Sequence, residues 1–182
     1  MSRLPIPTRE DAPASSQPLL DAVDKQLGTV PNLFRLMSIS PAVLQAYLGL
    51  GSALGHSLDA RTRERIAIAV AQINGCNYCL SAHSALGRGA GLSDSDIADA
   101  RRATSSDPKL AAILDFARTL VLSRGHAGDQ DLAGLRALGL GDAEILEIVG
   151  NTVLNIFTNY INNAAGTEVD FPLVEAELSA AA

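Results

Sequence analysis

Apolar residues recur at helical spacing along nearly the whole chain, and no stretch alternates apolar and polar positions long enough to predict a strand. Gln17 to Leu27 sets Leu19, Leu20 and Val23 on one face and ends at Gly28. Pro31 opens a short helix through Leu33, Phe34 and Met37 that stops at Pro41. Pro41 opens the next, to about Gly55, with Val43, Leu44, Tyr47 and Leu48 as its apolar stripe. Asp59 caps a helix over 60–74 that closes at Gly75, and another runs from about Cys76 to Arg88. Ser93 caps a helix over 94–102, and Asp107 with Pro108 starts a long one carrying Leu110, Ile113, Phe116, Ala117 and Leu120. Two more follow, near 130–138 and 142–164, with Gly141 between them. The connections are short, so the pattern predicts an all-α, compact multi-helix fold of antiparallel helix pairs with no significant sheet. Residues 1–16 read as an N-terminal arm and 17–182 as a single helical domain, with an extended or irregular tail after Gly166.

Composition narrows the chemistry. The 182 residues are 47% hydrophobic and 19% charged, which fits one globular domain and excludes a disordered or collagen-like chain. Aromatic residues make up only 4%, there is no Trp, and the net charge is -6, so neither base stacking nor phosphate binding is favoured and nucleic acid is not an expected partner. The N-terminus has no apolar run of the signal-peptide kind, and the longest apolar run, Ile66 to Ala71, is six residues against the roughly 18 that a membrane span needs. A cytoplasmic protein without membrane partners is the expectation.

There are two cysteines, and both lie in Cys76-Asn77-Tyr78-Cys79. In a reducing compartment such a pair points to redox chemistry or metal binding before a structural staple. At a helix start, the unpaired N–H groups and the positive end of the dipole favour a thiolate. His83, four residues after Cys79, shares a helix face with that sulfur and can exchange a proton with it. Cys79 is then the better-placed nucleophile, with Cys76 nearer the mouth as the resolving thiol. Glu64 begins a helix that is apolar on nearly every face after its first turn, and the Gly75 turn brings it back towards His83, directly or through a water. There it would orient the imidazole as the third member of a nucleophile, base and orienter set.

Glu64, Cys76 twelve residues on, Cys79 and His83 together resemble the active-site signature of the alkyl hydroperoxidase D family, within the carboxymuconolactone decarboxylase-like group. The resemblance is strongest over residues 58–92. It implies a thiol-dependent peroxidase, of the peroxidase-related branch, that reduces hydrogen peroxide or organic hydroperoxides. Cys79 would attack the peroxide, Cys76 would supply a proton and close a Cys76–Cys79 redox disulfide, and Glu64 with His83 would relay protons. It further implies an external dithiol or thiol-protein reductant, a homo-oligomer (trimer or hexamer), and neither metal nor organic cofactor. Tyr78 stands where the best-studied members carry a histidine, which leaves the reductant open. Relatives that only decarboxylate muconolactones lack the cysteine pair, so that chemistry is disfavoured.

Two other readings of these residues stay open. A redox-sensing or partner-binding module would use the same disulfide as a switch. A metal protein would use Cys76, Cys79 and His83 with His56 or Glu64 as a fourth ligand. Tyr78 either lines the substrate approach or packs. Asn151, Asn155, Asn159 and Asn162 or Asn163 form an amide ladder on the last helix, read as hydrogen-bonding across a subunit interface in preference to facing water. His56 and His126 read as exposed loop residues, and Phe34, Met37, Tyr47 and Phe116 as core.

Overall fold

The structure is a computed structural model that describes residues 2–176. Among the described residues it is helical throughout, with no strand: α1 Gln17–Leu27, α2 Asn32–Met37, α3 Pro41–Leu54, α4 Ala60–Ile73, α5 Asn77–Gly89, α6 Asp94–Arg101, α7 Pro108–Leu122, α8 Asp129–Ala137 and α9 Asp142–Ala165. The caps expected from sequence form. Asp59 accepts from the Thr62 N–H at 3.1 Å, and Asp107 from the Lys109 and Leu110 N–H groups at 2.8 and 3.2 Å. Ser93 and Asp96 close a reciprocal capping box on α6. Pro31 differs from its expected place by one position, standing as the N-cap of α2.

The central element is α4, which packs against α5, α6, α7 and α9. Arg65, Ile66, Ala67, Ile68, Ala69, Val70 and Ala71 are all buried, so this helix has no solvent face over two turns. It joins the two halves of the core. Ile68 and Ala71 pack with Leu20, Leu33, Leu44 and Leu80, while Ile66, Ala69 and Val70 pack with Leu114, Leu135 and Ile148. The nearly buried Arg65 guanidinium reaches Asp96 at 2.7 Å, which ties α4 to α6.

The chain ends are fastened to this bundle. Arg3 donates from its backbone N–H to the Ala165 carbonyl at 2.6 Å and from its guanidinium to those of Asn163 and Ala164 at 2.8 and 3.0 Å, satisfying the last carbonyls of α9. Ser16 is fully buried and donates to the Ser38 carbonyl at 2.7 Å. After Gly166 the chain is irregular and runs across the start of α5, where the Val174 N–H donates to Ser81 Oγ and the Ala176 N–H to Asn77 Oδ1, both at 2.9 Å.

Candidate active site

The turn between α4 and α5 builds the centre. Gly75 takes φ +62°, a left-handed conformation that a β-carbon would strain. The Cys76 N–H then reaches the Ala71 carbonyl at 2.9 Å, closing α4. This makes Cys76 the N-cap of α5, with its Sγ accepting from the Cys79 N–H at 3.2 Å. Cys76 and Cys79 are joined as a disulfide, their Cα atoms 5.4 Å apart. Both are buried, Cys76 at 0% and Cys79 at 2% exposure. The expectation that Cys76 lies nearer the mouth is therefore corrected. Its side chain faces the core against which Phe171, Val174 and Ala176 of the C-terminal segment pack.

One turn beyond Cys79, His83 Nδ1 lies 2.8 Å from Glu64 Oε2. Direct contact replaces the water considered from sequence. Each side chain is about a fifth exposed, 22% and 21%. In the neutral ring Nδ1–H donates to the carboxylate, leaving Nε2 as the acceptor that can take a proton. The pair opens on a cavity of about 100 Å³ lined by Tyr47, Arg63, Ala67, Asn151, Asn155 and Thr158 among others. The sulfurs do not line it. Burial pushes the Tyr47 phenol up to about 12, with the nearby Glu64 charge adding to the effect, so it stays a neutral hydroxyl at physiological pH.

The structure places Tyr78 in the packing role. It is buried, stacks edge-on against Phe171 with ring centroids 5.8 Å apart, and accepts the Leu33 N–H on its hydroxyl at 3.0 Å. Burial raises its phenol pKa, and Asp170 acts in the same direction. His56 and His126 are exposed, as expected. Among the described residues no three His, Cys, Asp or Glu side chains converge to hold a metal ion. A larger, apolar cavity of about 640 Å³ lies between α7, α8 and α9, and it has neither thiol nor imidazole on its walls.

The amide ladder of α9 is where the sequence reading needs correcting. Asn151, Asn155, Asn159 and Asn162 are all buried within this one chain and are not a subunit interface. Asn151 donates to Ser57 Oγ at 3.2 Å, Asn159 Oδ1 accepts from Asn74 Nδ2 at 2.9 Å, and Asn162 Nδ2 lies 3.2 Å from Cys79 Sγ. The exposed Asn163 donates to the Asn74 carbonyl at 2.8 Å. Amides one turn apart thus grip the loop before Cys76 and the sulfur of Cys79. Their spacing was visible in the sequence, but their side of the helix was not. Tyr47, read there as core, was missed as a wall of the cavity.

Residues 41–122, which span α3 to α7 and hold Glu64, both cysteines and His83, match the carboxymuconolactone decarboxylase family model. The chain belongs to the carboxymuconolactone decarboxylase family. Among curated proteins it is similar to an uncharacterized protein of Haemophilus influenzae, 54% identical over 46 residues; the match covers 24% of this chain and 41% of that relative, well under its full length. A family member from Ralstonia eutropha JMP134, an uncharacterized peroxidase-related protein described as an alkylhydroperoxidase AhpD core, is 26% identical with a TM-score of 0.82, covering 93% of this chain and 92% of that one. An uncharacterized peroxidase-related protein of Silicibacter sp. TM1040 is also 26% identical, with a TM-score of 0.80 and coverage of 92% and 91%. The debrominase Bmp8, 23% identical with a TM-score of 0.76 over 93% and 91% of the two chains, shares the fold. One carboxymuconolactone decarboxylase family scaffold therefore carries more than one chemistry, and the reaction has to be argued from the site.

Proposed function

We propose that this chain is a thiol-dependent peroxidase that reduces hydrogen peroxide or organic hydroperoxides through Cys76 and Cys79. The observation that carries the reading is the cysteine pair at the start of α5 with a hydrogen-bonded imidazole and carboxylate one turn further on. In the reduced protein the Cys79 thiolate attacks the outer oxygen of ROOH. An S–O bond forms as O–O breaks, the sulfur becomes a sulfenic acid, and RO⁻ leaves as ROH with a proton from the Cys76 thiol or from His83. The Cys76 thiolate then attacks the sulfenic sulfur, forming the disulfide and expelling hydroxide, which leaves as water once protonated. An external dithiol or thiol protein returns two electrons and two protons and reopens the disulfide.

Substrate size follows from the cavity. Its volume of about 100 Å³ equals that of about three waters, which suits hydrogen peroxide or a short alkyl hydroperoxide. The same reading carries a homo-oligomer, trimer or hexamer, supported by the apolar side chains Leu146, Val153 and Tyr160 left exposed on α9. It also places the reaction in the cytoplasm, whose dithiols would supply the electrons; no described helix is long and apolar enough to cross a membrane. The alternative, a redox-sensing or partner-binding module, draws on the burial of both sulfurs. Steady-state peroxide consumption with a dithiol donor tests the choice. Many turnovers per protein, lost in Cys79→Ser, support the peroxidase, whereas a single oxidation with no turnover supports the sensor.

A further inference from the structure

The disulfide has two polar partners, one for each sulfur, and they come from different places. Cys76 Sγ accepts from the Cys79 backbone N–H within α5, as any N-cap side chain does. Cys79 Sγ takes its partner from across the bundle, the side-chain amide of Asn162 on α9 at 3.2 Å. Asn162 is 3% exposed, and its Oδ1 has no hydrogen-bond partner among the described residues. A buried amide that leaves its oxygen unsatisfied costs stability, so its one good contact calls for a reason. A disulfide sulfur and a thiolate both lack a proton, so the amide must present Nδ2 to either. A disulfide sulfur is a weak acceptor, whereas a thiolate accepts a charge-assisted bond about twice as strong as a neutral one. The contact therefore favours the reduced, ionised state over the oxidised one.

We propose that Asn162 is a positioning residue that holds the Cys79 sulfur as a thiolate and makes the Cys76–Cys79 disulfide more oxidising. The inference deepens the peroxidase reading and rests on it for its biological sense. It also addresses a difficulty of that reading. The end of α5 by itself favours a thiolate on Cys76, the N-cap, and the Asn162 amide is what tilts ionisation towards Cys79. The half-reaction is the two-electron opening of the S–S bond to the Cys76 and Cys79 thiolates, with a dithiol such as dithiothreitol oxidised to its cyclic disulfide.

The test measures ionisation and potential without peroxide. In a Cys76→Ser background, the pH dependence of thiolate absorbance and of alkylation gives the Cys79 pKa. In the intact pair, equilibration with dithiothreitol buffers gives the potential. Asn162→Leu, close in size and without a donor, should raise the pKa by about one unit, and at a pH where Cys79 is ionised the same tenfold change lowers the potential by about 30 mV. Asn162→Asp, which is isosteric and cannot donate when ionised, should raise the pKa further and keeps the test decisive if the Leu variant does not fold. Ile148→Val trims a fully buried side chain of the other core cluster, so it lowers the melting temperature and leaves pKa and potential unmoved. An unchanged pKa and potential in whichever Asn162 variant folds overturns the proposal. Shifted values in a protein that turns over no peroxide would uphold it and overturn the peroxidase reading instead.

Discussion

Glu64 and His83 sit nineteen residues apart, on α4 and α5, and their side chains meet at 2.8 Å. Only the tight reversal at Gly75 allows this, because it lays the start of α5 against the end of α4 and lets the two helices run back alongside each other. The carboxylate fixes the ring and selects the tautomer with Nε2 free. Glu64→Gln keeps the size and removes the charge. It should lower kcat/KM for peroxide by about tenfold to a hundredfold, and His83→Gln, which removes the proton carrier, by about a hundredfold or more. Stopped-flow peroxide kinetics on the reduced proteins check both. Loss of less than twofold in His83→Gln would remove the relay from the mechanism.

The two cysteines are predicted to fail differently. Cys79→Ser should abolish turnover and give no sulfenic acid. Cys76→Ser should react once with peroxide and stop, leaving a Cys79 sulfenic acid that a dimedone-type reagent traps for mass spectrometry. Exchange of these two outcomes would move the nucleophile to Cys76, the N-cap.

Much of the fold was legible because its signals are local. Asp59, Ser93 and Asp107 announce helix starts through their own side-chain chemistry, and Gly28, Gly75 and Gly166 mark ends through left-handed backbone. The candidate site was half legible for the same reason. Cys76, Cys79 and His83 share one helix, and a single short turn brings Glu64 to them. What escaped depends on how distant segments pack. A ladder of asparagines reads the same whether it faces a partner or its own core, and only the docking of α9 across α5 turns Asn162 onto Cys79. The burial of Cys76 likewise depends on the segment after Gly166, nearly a hundred residues away in sequence.

Tyr78 is predicted to matter for stability and not for peroxide binding. Its hydroxyl accepts the buried Leu33 N–H, which would otherwise lack a partner at the start of α2. Tyr78→Phe should cost about 1–2 kcal/mol, read in urea or thermal unfolding, and leave KM for peroxide within twofold. A large rise in KM with unchanged stability would return Tyr78 to the substrate approach.

Acid stability should be governed in part by Asp96. Its carboxylate accepts from the Ser93 N–H at 2.9 Å and the Ser93 hydroxyl at 2.8 Å, and pairs with the nearly buried Arg65 at 2.7 Å. The Ser93 hydrogen bonds first, and then Arg65, hold its pKa well below the usual carboxylate range. A depressed folded-state pKa means that the unfolded chain binds the proton more readily. The stabilisation is therefore complete above the ordinary carboxylate pKa of about 4 and is lost as pH falls from there towards the folded value. Asp96→Asn keeps the shape, weakens the cap and leaves Arg65 without its charge partner. It should cost about 1–2 kcal/mol at neutral pH and flatten the fall in stability below about pH 4. Urea unfolding followed by circular dichroism across that range checks it. An Asn variant that loses stability on acidification as steeply as the parent would assign the acid sensitivity to other carboxylates.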